Sequence, residues 1–216
     1  MHKAQSLPIL DRYTPGDDAM AIRLHELHPT LIHAPLGLLP VAAGLDLVCA
    51  LKHDRFLDHT ARTLWSLGTL GGLAAGATGL AASQEVKITD QNVEQAMLIH
   101  GLGNVIVTLG AASMLGFRAK HRPTITSAFV ALGAVAATLF TGWLGGELVY
   151  ARGVGVKRMA AAQGEGVKDS PELVTRESPS RFLKDVANGF VWAMRGAKKV
   201  ATGEERLTRR ALSLGA

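Results

Sequence analysis

The chain has 216 residues, is 48% hydrophobic and 5% aromatic, and carries a formal net charge of +5 with a mean hydropathy of +0.19. The apolar residues are clustered, which marks a membrane chain, and the excess of Lys and Arg reads as the flanks of membrane segments rather than a nucleic-acid surface, since no nucleic-acid motif with interleaved aromatics is present. One cysteine, Cys49, excludes an internal disulfide. The absence of a nucleophile elbow, P-loop, GxGxxG or HExxH gives no expectation of catalytic activity of the chain's own.

Residues 1–27 are polar and mixed, with turn residues at Pro8 and Thr14-Pro15-Gly16. They contain no apolar h-region, so no cleavable signal peptide is expected. His28-Pro29-Thr30 opens the first apolar segment, 31–51, and proline suits a first helical turn. Pro35 and Pro40 inside it predict a bend. The charged loop Lys52-His53-Asp54-Arg55 leads to segment 64–82, a polar loop from Glu85 to Gln95 to segment 96–117, and a basic turn from Arg118 to Pro123 to segment 125–150. Each segment has about the 20 apolar residues that cross a bilayer. No strand pattern is seen. Residues 151–180 read as a Gly-, Ser- and Pro-rich linker. A helix is predicted over 181–200, N-capped by Ser180, with Phe182, Val186, Phe190, Ala193 and Ala197 on its apolar side and Lys184, Asp185, Asn188, Arg195, Lys198 and Lys199 largely opposite. Such a basic amphipathic helix is expected on the membrane surface. The expected fold is therefore all-α: a four-helix transmembrane bundle over 28–156, preceded by a polar segment (1–27) and followed by a linker and extramembrane amphipathic tail (157–216).

His33 and His100 lie in the first turns of the first and third segments, hence at one depth under one membrane face. An ionisable group there marks a candidate site. Each opens onto a small-residue face: His33, Gly37, Pro40 and Gly44 in one segment, His100, Gly103 and Asn104 in the other. Segment 2 adds Gly68, Gly72, Gly76 and Gly79, and segment 4 adds Gly142, Gly145 and Gly146. Close helix packing explains such faces, and room for a flat ligand is compatible with them.

The block from Leu27 to Gly37, LHPTLIHAPLG, and the closing block from Gly142 to Tyr150, GWLGGELVY, followed by Gly153-Val154-Gly155-Val156, resemble the DUF2231 family of bacterial four-helix membrane proteins. His100 falls where that family has a histidine at the start of its third helix. The resemblance covers about residues 25–156. It implies a multi-pass protein of the bacterial inner membrane, and the fusion of relatives to c-type cytochrome or Rieske-like domains implies redox work with such a partner. It carries no activity of its own.

Three chemistries are open at the histidine end. Haem b would take His33 and His100 as axial ligands, with His28 in reserve, Glu147 nearby, and Gly37, Gly103, Gly145 and Gly146 leaving space. Arg23, Lys87 or Arg152 would meet the propionates. C-x-x-C-H is absent, so covalent attachment is excluded. A non-haem metal at His33 and His100, with His28 and Glu147, is the second. The third is structural: each imidazole donates to a carbonyl or to Glu147 and locks helix ends together. Asp46 is expected to bond a neighbouring Ser or Thr. Met97, Met114 and Cys49 read as core, and His2, His25, His53, His59 and His121 as solvated. Lys52, Arg55, Arg62, Arg118, Lys120 and Arg122 outvote Lys87 across the loops, which predicts periplasmic termini.

Overall fold

A computed structural model describes residues 24–155, 166–167 and 172–207. The N-terminal polar segment through Arg23, most of the expected linker and the last residues of the tail lie outside the described residues. A 3-10 turn, Leu24–Glu26, leads into α1 (Leu27–Leu31) and α2 (His33–Leu51). Then come α3 (Arg55–Glu85), β1 (Val86–Lys87), α4 (Gln91–Lys120), α5 (Ile125–Tyr150), β2 (Gly166–Val167) and α6 (Ser178–Ala201).

Local chemistry sets the boundaries. The helix breaks at Ile32 because Pro35 has no N–H for the Leu31 carbonyl and its ring crowds that group. Asp54 caps α3 by accepting from the amides of Phe56 (2.8 Å) and Leu57 (3.1 Å). Asp90 caps α4 through the Asn92 amide at 2.7 Å. Thr124 and Ser127 form a reciprocal capping box at the start of α5. α3 and α4 outrun the apolar segments 64–82 and 96–117 because these caps lie in the polar flanks. β1 pairs antiparallel with β2, a two-residue ladder that the sequence pattern does not announce.

The four long helices close a ring: α2 packs on α3 and α5, and α4 packs on α3 and α5. One core cluster joins Leu39, Ala42 and Ala43 of α2 to Trp65 of α3, Ala111 and Met114 of α4 and Ala131 of α5. A second joins Val93 and Ala96 to Leu144 and Leu148. Three helical stretches are long and apolar enough to cross a membrane: Leu27–Leu51, Gln91–Lys120 and Ile125–Tyr150. α3 falls outside that set, where the sequence predicts a fourth span; its glycines, serines and threonines dilute its apolar content.

α6 lies against α3 and α4. A Cβ at Gly189 would collide with the Leu80 backbone, and one at Gly196 would lie 2.7 Å from Leu98 Cδ2, so both glycines are contact points. Trp192 Nε1 donates to Glu94 Oε1 at 3.2 Å, and just beyond the helix Glu205 accepts from Gln95 Nε2 at 3.0 Å. Two expectations change here. The helix starts at Ser178 with Glu177 at the cap position, and the Ser180 hydroxyl bonds the Glu177 carbonyl instead of capping. Phe182, Val186, Ala193 and Ala197 are half-buried, whereas Phe190 is exposed.

Candidate functional site

The structure brings His28, not His33, to His100. The two rings lie edge to face, with centroids 6.1 Å apart and planes at 83°. His28 and His33 are five residues apart and cannot share a helical face. His33 is exposed, and its Nδ1 lies 3.1 Å from the Thr30 carbonyl of its own turn.

Each inward imidazole ties two helices together. His28 Nδ1 is 2.8 Å from the Ala75 carbonyl of α3, and His100 Nδ1 is 2.8 Å from the Thr141 carbonyl of α5. A carbonyl only accepts, so Nδ1 carries the proton in both rings. The Nε2 lone pair of His100 then faces Asn104, whose Nδ2 donates to it at 3.1 Å. His28 thus joins the first helical stretch to α3, His100 joins α4 to α5, and the ring contact joins the two pairs.

The glycines explain how rings of this size fit. A Cβ at Gly79 would lie 3.0 Å from His28 Nδ1, and one at Gly145 would lie 2.7 Å from His100 Cε1. At Gly103 it would lie 2.7 Å from Thr141 Cγ2. These small faces seat two imidazoles and a threonine methyl. Among the described residues a Cβ at Gly37 would meet nothing within 4 Å, and one at Gly146 would meet the Tyr150 ring at 3.9 Å. Glu147 is half-buried, and no hydrogen bond or ion pair joins it to either imidazole. Among the described residues no group of three His, Cys, Asp or Glu side chains is arranged to hold a metal.

His25 and Glu85 also lie at this end. Expected in solvent, His25 is buried, with Nδ1 3.8 Å from Glu85 Oε2. His53, His59 and His121 are exposed.

At the other end of the ring lies a network that the sequence reading divided between a loop and a helix. Arg118, counted there among the loop cations, is 0% exposed, and Asp46 is 1% exposed. Arg118 Nε donates to Asp46 Oδ1 at 3.0 Å, its Nη2 to Asp58 Oδ1 at 2.5 Å and its Nη1 to the His121 carbonyl at 2.6 Å. Trp65 Nε1 donates to Asp46 Oδ2 at 2.9 Å, so Asp46 is met by an indole and a guanidinium, not by a serine or threonine. Arg62 Nη2 lies 2.9 Å from Asp58 Oδ2. Burial alone would raise the Asp58 carboxyl, but the hydrogen bond and charge of Arg118, aided by Arg62 and Arg122, hold it below its ordinary range. The sequence holds half of the signal: an aspartate inside an apolar segment needs a cation, and segments 1 and 3 end on the same face, but the fold decides which cation of that face meets it.

The sequence model of a family described as "Predicted membrane protein (DUF2231)" matches residues 24–158. No curated protein and no solved structure matches the chain.

Proposed function

The chain belongs to the DUF2231 family of predicted membrane proteins, and from that membership and the geometry above we propose a four-span structural or assembly protein of the bacterial inner membrane. In this reading His28 and His100 act as neutral helix clamps. The observation that supports it is the pair of helix-to-helix hydrogen bonds: Nδ1 of each ring lies on a neighbouring helix's carbonyl, Asn104 donates to His100 Nε2, and glycines seat both rings. α3 is the fourth span. It packs between the candidate spans α2 and α4, and Leu67, Leu70 and Leu73 are exposed on it as an apolar band for lipid. The domain division into 28–156 and a following tail belongs to the same proposal. Termini on the periplasmic side follow from the loop charges; with Arg62 and Arg118 engaged by aspartates, Lys52, Arg55, Lys120 and Arg122 still outnumber Lys87.

A second reading retains a redox role. Ligating imidazoles usually anchor their other nitrogen on a carbonyl, as both rings do here. His28 and His100 would then hold haem b or a metal, and a cytochrome c or Rieske-type protein or another membrane subunit would be the partner. That reading requires Asn104 to release His100 and the glycine-seated rings to part.

An absorption spectrum and elemental analysis of protein purified after expression with ample haem separate the two. The clamp reading expects a colourless, metal-free protein. A Soret band lost in His28→Ala and His100→Ala but kept in His33→Ala would establish the second.

A further inference from the structure

α6 has three faces, and among the described residues one of them packs on the rest of the protein. Ser178, Asp185 and Gly189 are buried against the ring of helices. A second face carries Leu183, Ala187, Phe190 and Met194 at spacings of four, three and four, which is one stripe of a helix. Leu183 is 67% exposed, Phe190 56% and Met194 55%. Beside that stripe Lys184, Asn188, Arg195 and Lys199 form a polar face, with Lys198 at its edge. Over the whole helix five cations (Arg181, Lys184, Arg195, Lys198 and Lys199) stand against one acid, Asp185, which Arg181 approaches to 3.6 Å.

The position of the helix selects what covers the stripe. α6 crosses α3 at Leu80 and α4 at Leu98, each about half a turn inside the end of its apolar segment. Tyr150, 79% exposed at the end of α5, and Trp143, exposed one turn-pair earlier, stand at the same end of the ring, where aromatic side chains mark a membrane–water boundary. An exposed apolar stripe at that level, flanked by cations, matches acyl chains below and phosphates above.

We propose that α6 is an interfacial helix that recruits anionic phospholipid, with Leu183, Phe190 and Met194 in the acyl boundary and Lys184, Arg195, Lys198 and Lys199 on headgroup phosphates. This rests on the four-span reading. The docked glycine face fixes the roll of the helix, so the apolar stripe is presented to lipid without a folding step, and the cations set which lipid gathers there.

The test uses the full chain in a Cys49→Ala background, with a fluorophore at Phe190→Cys, Met194→Cys or Ile106→Cys, reconstituted in phosphatidylcholine vesicles. Each sample contains spin-labelled phosphatidylglycerol or spin-labelled phosphatidylcholine at equal mole fraction. Ile106, 69% exposed on α4, reports lipid contact of a span. The expected result is quenching at all three positions. At 190 and 194 the phosphatidylglycerol probe should quench more strongly than the phosphatidylcholine probe, and this preference should be lost in Arg195→Gln/Lys198→Gln/Lys199→Gln and at high salt. Quenching at 106 with none at 190 and 194 overturns the inference alone and leaves the spans intact. Equal quenching by the two probes at 190 and 194 overturns the anionic-lipid assignment. Shielding at 190 that appears only at high protein-to-lipid ratio assigns the stripe to a second copy and overturns it too. No quenching at 106 removes the four-span reading itself.

Discussion

Gly145 shows how one hydrogen atom decides the histidine end. Its α-carbon faces the His100 ring so closely that a methyl group there must displace the imidazole from the Thr141 carbonyl. Gly145→Ala should therefore destabilise the folded protein by about 1–3 kcal/mol, the usual cost of overpacking. Gly37→Ala should be neutral or stabilising by up to ~1 kcal/mol, since a Cβ at 37 meets open space and alanine favours the helix. Unfolding in detergent reads both. At this scale the sequence marked the glycine faces and the inward His100, because periodicity and depth depend only on spacing. It could not say what the glycines seat, and it chose His33 over His28, because only the break at Ile32 decides which of two histidines five residues apart turns inward.

Between elements, the Asp46–Arg118 pair ties α2 to α4 in a buried site. Arg118→Met leaves the buried Asp46 carboxylate without its cation and should cost about 3–5 kcal/mol, whereas Asp46→Asn leaves Arg118 held by Asp58 and should cost less. Asp46→Leu combined with Arg118→Met should cost less than the sum of the single changes. A double-mutant cycle on chemical unfolding in micelles measures this; strict additivity would deny the coupling. Asp58 adds a pH dependence with a fixed sign. Its folded carboxyl is held below the ordinary value of 3.8, so its contribution is fully present above that value and is lost as pH falls through the lower folded one. Acid unfolding of Asp58→Asn should lack this component below about pH 4. The helices themselves were legible from apolar runs and turn residues. The partnership of Asp46 was not, because Arg118 ends a helix and reads as a loop charge until the fold buries it. α6 was legible as a helix, but its orientation was not: a single apolar side was expected, whereas the glycines give the chain's own helices one side and leave Phe190 on another.

For the whole molecule, the two constellations form a frame under the proposed function: an imidazole clamp at one end of the ring and an ion-pair network at the other. The frame requires the ends to lie near opposite membrane faces, which needs α3 to cross. Reporter fusions after Phe56 and after Arg152 are separated by three crossings if it does, so they should give opposite signals, with the periplasmic one at Arg152. Equal signals would remove α3 from the spans, and reversed signals would invert the orientation. The clamp itself is tested most directly by unfolding free energies in detergent for His28→Ala, His100→Ala and His33→Ala, measured on protein purified without added haem or metal. Loss of a buried ring and of its hydrogen bond should cost His28→Ala and His100→Ala about 1–3 kcal/mol each, with His33→Ala near the parent. Stability unchanged in the first two, or lowered as much by His33→Ala, would contradict the clamp.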